Sequence, residues 1–352
     1  MRIALVAPIQ PTCGVADYTR YLAAELGRLV QIAWLVPPAQ FQSEMNSADI
    51  IHVQHQYFVF GGVAPWKNTF PRFARAVRAP LVMTAHEIVD ADGSPLRRLL
   101  INVTNRSTFG HPAVRHVVVH TQHDRHRLRP WVRSSTPVTV LRHPVPPAPR
   151  LPERVEARRD LGLEGRFVVT IFGFLARNKG HADAIRALAA TPPNVFLLIA
   201  GGRHPDDRSS YAKDLEGLIQ SVGMHARVRV TGYLSPEDVA QVMAATDLAL
   251  APFRSGSGSG SLAMALACGR PVLASDAPAN AEIAQEMDGG MALFRAGDVA
   301  HLAACITDLA QDPERLQQMA RASLQYAARY TWAQAAKDTV AVYRSLFGGE
   351  EG

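Results

Sequence analysis

Cysteine is scarce in this chain: three residues in 352, at Cys13, Cys268 and Cys305. They lie too far apart for a metal-ligand spacing or a disulfide framework. That excludes a small cross-linked scaffold and fits a reducing compartment. Long apolar runs are lacking as well, and none approaches the ~20 residues of a membrane-spanning helix. The opening Ile3–Pro8 run is too short for a signal peptide and has no small-residue cleavage site. These features lead to the expectation of a cytosolic protein. No basic run and no nucleic-acid motif stands out, so nucleic acid is the weakest candidate partner. The three-glycine dinucleotide fingerprint is missing, which disfavours a nicotinamide or flavin enzyme. No metal site and no cofactor is expected.

What is there is an ordinary globular composition, 47% hydrophobic and 19% charged. The length exceeds what one core usually covers, so two domains are expected. The net charge of +6 is uneven. Residues 1–150 hold 17 Lys/Arg against 8 Asp/Glu, while the rest is slightly acidic. A basic half either meets an anionic partner (a phosphorylated substrate, an anionic membrane, nucleic acid) or simply solvates its surface with arginine. Eight arginines crowd one segment, at 97, 98, 106, 115, 125, 127, 129 and 133. Electrostatic contact with an anionic membrane is expected there. Insertion is not, because no apolar stripe stands out over 96–109.

Short apolar β-rich runs alternate with helix-length segments. In the first half the strand candidates are Ile3–Ala7, Val30–Val36, Ile50–Gln54, Leu81–Thr84, Val117–His120 and Val138–Arg142. Val15, Tyr18, Leu22 and Leu26 recur at helical spacing between the first two. In the second half the candidates are Phe167–Phe172, Val195–Ala200, Val228–Thr231, Leu248–Ala251 and Pro271–Ala274. Nearly continuous apolar strands separated by helices indicate parallel sheets covered on both faces. Residues 143–152 hold five prolines, which suits a boundary. The domains expected are 1–148, a Pro-rich linker over 149–166, 167–329, and a closing helical segment over 330–352.

Candidate chemistry falls at strand-to-helix junctions. Gly14 can bring backbone N–H groups close to an anion. His52, His55, His86 and His120 each end or follow a strand. His86 is the best placed, either to hydrogen-bond a sugar hydroxyl or phosphate or to serve as a packing residue. Arg177 and Lys179 precede a helix and can neutralise a diphosphate. The Ser/Gly loop 255–261 leads into a helix and makes an anion cradle.

These residues resemble a family. The order of Ala7–Thr19, Val53–Tyr57 with Phe60-Gly-Gly62, Thr84-Ala-His-Glu87, Gly173-x-Leu-x-x-x-Lys179-Gly180, Ile199–Gly202, Val230–Tyr233, Ala245–Leu248, Ala265–Ala274 and Tyr330-Thr-Trp-Ala is similar to that of family 4-like retaining glycosyltransferases with the GT-B fold. The resemblance implies an α/β architecture of two doubly wound Rossmann-like domains facing a cleft. It further implies a cytoplasmic enzyme, at most peripheral at the inner face of a membrane. The donor would be a nucleoside-diphosphate sugar, transferred with retention and without a metal to a sugar, lipid-linked or small-molecule acceptor.

By resemblance, His86 is catalytic. The diphosphate meets Gly14, Arg177, Lys179, Ser259, Gly260 and Ser261. The base lies at Gly232, Tyr233 and Leu234, and the acceptor side holds Gln54 and His55. The closing helix packs back on the first domain. Two glutamates that usually serve the sugar and ribose fall on Gly256 and Met264, and a frequent arginine falls on Phe174. A methionine cannot accept ribose hydroxyl protons as a carboxylate does. The alternatives left open are a non-catalytic relative that binds sugar, lipid or a partner enzyme, and a sugar-nucleotide epimerase.

Overall fold

The computed structural model describes residues 1–10, 13–203, 209–254 and 260–347. The chain divides into two compact units, one made of Met1–Pro144 with Tyr330–Gly352 and the other of Val145–Arg329.

The first unit begins β1 (Arg2–Val6), α1 (Gly14–Leu26), β2 (Gln31–Val36), β3 (Ile50–His55), α2 (Phe70–Ala76), β4 (Leu81–Ala85) and α3 (Pro95–Phe109). It continues through β5 (Val114–Val119), α4 (Gln122–Leu128) and β6 (Val138–Val140). Its six strands are all parallel, in the order β2-β1-β3-β4-β5-β6. The central strands are buried on both faces, which is why they read as unbroken apolar runs.

The second unit runs α5 (Arg154–Leu161), β7 (Phe167–Phe172), α6 (His181–Ala187), β8 (Val195–Ala200), α7 (Tyr211–Ser221), β9 (Val228–Val230) and α8 (Pro236–Ala245). Then come β10 (Leu248–Ala251), α9 (Gly260–Ala267), β11 (Val272–Ser275), α10 (Pro278–Glu286), β12 (Ala292–Phe294), α11 (Val299–Ala310) and α12 (Pro313–Arg329). Its parallel sheet has the order β12-β11-β10-β7-β8-β9. The last helix, α13 (Trp332–Ser345), belongs to the first unit.

Local signals account for several helix starts. Ser235 and Asp238 form a reciprocal capping box on α8, with Pro236 in its first turn. Thr331 caps α13 by accepting from the Gln334 amide at 3.2 Å. That helix then buries Trp332, Val340 and Tyr343 beside Tyr18, Leu22 and Leu26 of α1, on the sheet face opposite α2 and α3. Each such side chain removed from water contributes about 1.5–3 kcal/mol.

The stretch 149–166, expected as a linker, differs from that reading. It contains α5 and lies in the second unit. Ala157 and Leu163 are buried, and the Arg158 guanidinium donates to the Ala245 carbonyl. The prolines stop before Arg154, and a helix-length segment ending at the left-handed Gly162 follows them.

Candidate functional site

In a doubly wound sheet the crevice for a ligand opens at the carboxyl edge where strand order reverses. In the second unit that point lies between β10 and β7. The segments leaving these two strands carry Lys179 and Ser261.

Lys179 sits just before α6, and its Nζ donates to Ser261 Oγ at 3.5 Å, in the first turn of α9. The ammonium also stands 5.6 Å from the centre of the Phe253 ring. Burial pulls the lysine down from its ordinary value to about 8. A charge held at a cost in this way is relieved when an anion arrives.

Glycine makes the arrangement possible. Gly173 has φ +110°, and a Cβ there would stand 2.7 Å from Lys179 Nζ and 3.2 Å from Ser261 Cβ. Gly180 has φ +70°, and its Cβ would lie 2.0 Å from the Pro252 carbonyl oxygen. The two segments therefore press together without side chains between them.

A further ion pair locks them. Arg254 donates from Nη2 to both carboxylate oxygens of the buried Asp183 at 2.8 Å, and from Nε to Oδ2 at 3.0 Å. The Arg254 amide donates to the Asn178 carbonyl at 2.7 Å. Sequence reasoning missed this pair. Its only signal was an arginine beginning the Ser/Gly loop and an aspartate in the first turn of a helix.

Arg177, expected beside Lys179, is placed elsewhere. Its Nη2 lies 2.5 Å from Asp214 Oδ2, and its guanidinium lies 5.0 Å from the centre of the Tyr211 ring, both on α7. The short 3₁₀ turn over Arg177–Lys179 directs the two cations differently. This pair is largely exposed and is worth little to stability.

Gly260 opens α9, and a Cβ there would meet nothing within 4 Å among the described residues. Gly256 and Ser259 lie outside the described residues. Met264 is half-buried, and its Sδ is 4.0 Å from Cys268 Sγ. At the base-side positions Gly232 has φ +79°, Leu234 is half-buried, and Tyr233 is 70% exposed. The Tyr233 ring stacks on Phe174, with centroids 6.4 Å apart. A flat aromatic shelf thus stands at the position of the frequent arginine.

In the first unit, strand order reverses between β1 and β3. Gly14 begins α1, whose first-turn amides have no side-chain cap among the described residues. Gln54 is fully buried and bridges two histidines. Its Oε1 accepts from His86 Nε2 at 2.8 Å, and its Nε2 donates to His52 Nε2 at 3.2 Å. His52 Nδ1 lies 2.6 Å from the Tyr343 hydroxyl and its Nε2 lies 2.8 Å from Thr84 Oγ1.

Tyr18 of α1 is surrounded by His86 at 4.6 Å, His120 at 5.3 Å, His143 at 5.4 Å and Trp332 at 4.9 Å, centre to centre. Burial, followed by the neighbouring histidines, holds His86 well below its ordinary value. Burial brings His120 to about 4 and His143 to about 3. The group is therefore neutral near pH 7, suited to hydroxyls and unsuited to attracting an anion. His143 and Trp332 are distant in sequence from the strand-end motifs, which is why they were missed.

Two expectations for the acceptor side need correction. Gln54 is fully buried and accepts a hydrogen bond from His86. His55 is 1% exposed and lies among Tyr57, Phe60, Phe70 and Phe109, with Phe60 stacked at 5.6 Å. Burial holds it at about 3. Both side chains lie on the central strand β3, covered on each face, so neither reaches solvent.

The Asp90-Ala91-Asp92 triplet, whose spacing suits a metal, has both carboxylates in ion pairs with Arg127 and Arg97. Among the described residues no cluster of three metal-ligating side chains occurs. No helix among them is long and apolar enough to cross a membrane.

Residues 153–326 match the family model of glycosyl transferases group 1. The D-inositol 3-phosphate glycosyltransferase of Mycolicibacterium vanbaalenii is 26% identical over 330 residues, which cover 87% of this chain and 68% of that protein. D-inositol 3-phosphate glycosyltransferase 1 of Catenulispora acidiphila is 29% identical over 214 residues, 57% of this chain and 49% of that protein. The matched part spans about half the length of most of the curated relatives. Among solved structures, Anabaena Alr3699/HepE in complex with UDP-glucose superposes with a TM-score of 0.77. It covers 98% of this chain and 99% of that one at 20% identity. The two parallel six-stranded sheets and their helices thus form the GT-B fold.

Proposed function

The chain is a GT-B protein whose residues 153–326 match the group 1 glycosyl transferases, and from that premise we propose that it moves a sugar from a nucleoside-diphosphate donor to an acceptor hydroxyl with retention. The donor binds the second unit. Its base lies on the Tyr233–Phe174 shelf near Gly232 and Leu234. Its diphosphate is held by the Lys179 ammonium and by the amides of Gly260 and Ser261. These fixed positive groups stabilise the charge that develops on the leaving diphosphate.

The acceptor binds the first unit, where neutral His86, held by Gln54, hydrogen-bonds a hydroxyl. That acceptor is a sugar, a lipid-linked saccharide or a small polyol. The reaction belongs to surface polysaccharide, glycolipid or metabolite glycosylation, in the cytoplasm or at the inner face of a membrane.

The observation that carries this reading is the meeting of Lys179 Nζ and Ser261 Oγ at 3.5 Å beside a glycine too crowded for a side chain. It is tested by calorimetric titration with nucleoside diphosphates and their sugars, for wild type and Lys179→Ala. Binding of one nucleotide series that drops 10- to 100-fold in the variant supports it. Absence of any nucleotide binding in a folded wild type overturns it. Transfer to acceptors, with the product anomer read by NMR, then decides retention.

A second reading, a non-catalytic relative, is favoured by Met264, whose thioether offers the ribose no strong acceptor. Turnover with any donor–acceptor pair removes it.

A further inference from the structure

Helix α3 wears its amphipathicity inside out. Its inward face is largely polar. Thr104 Oγ1 donates to the Val63 carbonyl at 2.8 Å, Asn105 Oδ1 accepts from the Tyr57 hydroxyl at 2.6 Å, and Thr108 Oγ1 accepts from Asn68 Nδ2 at 2.9 Å. Its outward face is apolar. Leu96 is 66% exposed, Leu99 59% and Val103 48%, at positions i, i+3 and i+7 of one stripe. The hydrogen bonds to Thr104, Asn105 and Thr108 fasten the 57–68 segment beside the helix. That segment exposes Phe58, Val63 and, at 73%, Trp66.

An exposed apolar stripe on a helix, with further exposed apolar residues on a segment tied to that helix, marks an interaction surface. The expectation that 96–109 lacks an apolar stripe is thereby corrected. Spacing does not say which side of a helix meets the core, and in α3 the core-facing positions are mostly threonine and asparagine.

Basic residues predominate around this patch. Helix α3 contains Arg97, Arg98 and Arg106 and no acidic residue, and Lys67 follows Trp66 directly. Among the described residues no carboxylate pairs with Lys67, Arg98 or Arg106, whereas Arg97 pairs with Asp92. Leucines and a tryptophan rimmed by unpaired cations match an anionic bilayer leaflet: apolar side chains enter the acyl boundary while the cations meet headgroup phosphates. A protein partner of the same chemistry would have to be both apolar and acidic.

We propose that the exposed stripe Leu96–Leu99–Val103, together with Trp66, is a docking surface that lies in the interface of an anionic membrane. This deepens the membrane location proposed above, and it holds whether or not the chain transfers sugar. Docking there would hold the first unit at the surface where a lipid-linked acceptor resides.

The test uses the whole chain, without nucleotide, and sedimentation with vesicles of phosphatidylcholine alone or with about 30% phosphatidylglycerol, an anionic surface that attracts basic residues. The expected result is binding to the anionic vesicles that weakens with salt, with tryptophan emission shifted to the blue and quenched by brominated lipid. Leu99→Glu and Trp66→Ala should each lower partitioning at least about tenfold, and the latter should remove the shift. Paired Arg98→Glu and Arg106→Glu should abolish the preference for anionic lipid.

These positions are exposed, so an unchanged melting temperature and unchanged nucleotide titration verify that each variant is folded. Three results overturn the proposal. They are no binding of wild type to anionic vesicles, binding indifferent to Leu99→Glu, and a concentration-dependent dimer that Leu99→Glu disperses.

Discussion

The ammonium nitrogen of Lys179 stands where only a glycine can face it, 2.7 Å from the position a Cβ on Gly173 would take. Gly173→Ala is therefore expected to push the lysine aside and to strain a backbone at φ +110°. The flexible lysine can yield, so the fold should survive with a loss of about 1–3 kcal/mol. Nucleoside-diphosphate affinity should fall at least about tenfold. Calorimetric titration beside a thermal melt checks both. Affinity equal to wild type would mean that the lysine does not face the ligand.

Lys179 also sets a pH dependence. Its value near 8 means that the free protein loses this charge as pH rises through that point. Affinity for a diphosphate should be flat below about pH 7.5 and fall by up to tenfold per unit above 8. Lys179→Arg stays charged and should flatten the curve. Titrations between pH 6.5 and 9.5 decide it.

The Arg254–Asp183 pair predicts a structural effect. Arg254→Met leaves a buried carboxylate whose remaining cation among the described residues is Arg186, at 3.8 Å. The second unit should lose about 1–3 kcal/mol, with more rapid amide exchange in the segment around Asn178. Asp183→Asn combined with Arg254→Met should recover part of the loss. Urea unfolding and hydrogen exchange measure these effects.

Met264→Glu restores an acceptor on the outer turn of α9. If ribose sits there, nucleoside diphosphates should bind the variant more tightly, by about 1–2 kcal/mol, and the deoxyribose forms should gain less. No gain, or an equal gain for both, would locate the ribose elsewhere.

The buried histidines predict acid sensitivity in the first unit. His52, His55 and His143 are held near 3 and His120 near 4, all by burial. An unfolded chain takes up these protons near pH 6.5 and the folded one does not. Stability is therefore complete above about pH 6.5 and declines as pH falls toward 4, by about 1.4 kcal/mol per pH unit for each histidine. His55→Phe removes one proton from this linkage. Thermal melts from pH 7.5 to 5 should show a shallower decline in that variant.

Much of the fold was legible in the chain. Unbroken apolar strands such as Val195–Ala200 announce a parallel sheet, because both faces are covered and no polar alternation is tolerated. Lys179 and Ser261 were legible for a related reason: each follows a strand and precedes a helix, and strand order determines which such junctions meet. The roles of Arg177 and His55 were not. A side chain's direction depends on which neighbour attracts it, as Asp214 does Arg177, or on which face its strand buries, as β3 does His55. The stripe on α3 escaped for the complementary reason, that periodicity alone does not say which side of a helix meets the core.

From residues alone came the alternation of strand and helix, the break at the prolines, the crowding of arginine in the first half and the cation beside the glycine-rich turn. These are local properties, written in propensity, spacing and charge. Tertiary packing alone decided that three histidines, His86, His120 and His143, lose their charge together around Tyr18, that Asp183 reaches Arg254, and that the leucines of α3 face outward. Each of those depends on contacts between segments tens to hundreds of residues apart, and burial, which sets both protonation and exposure, exists only once those segments have come together.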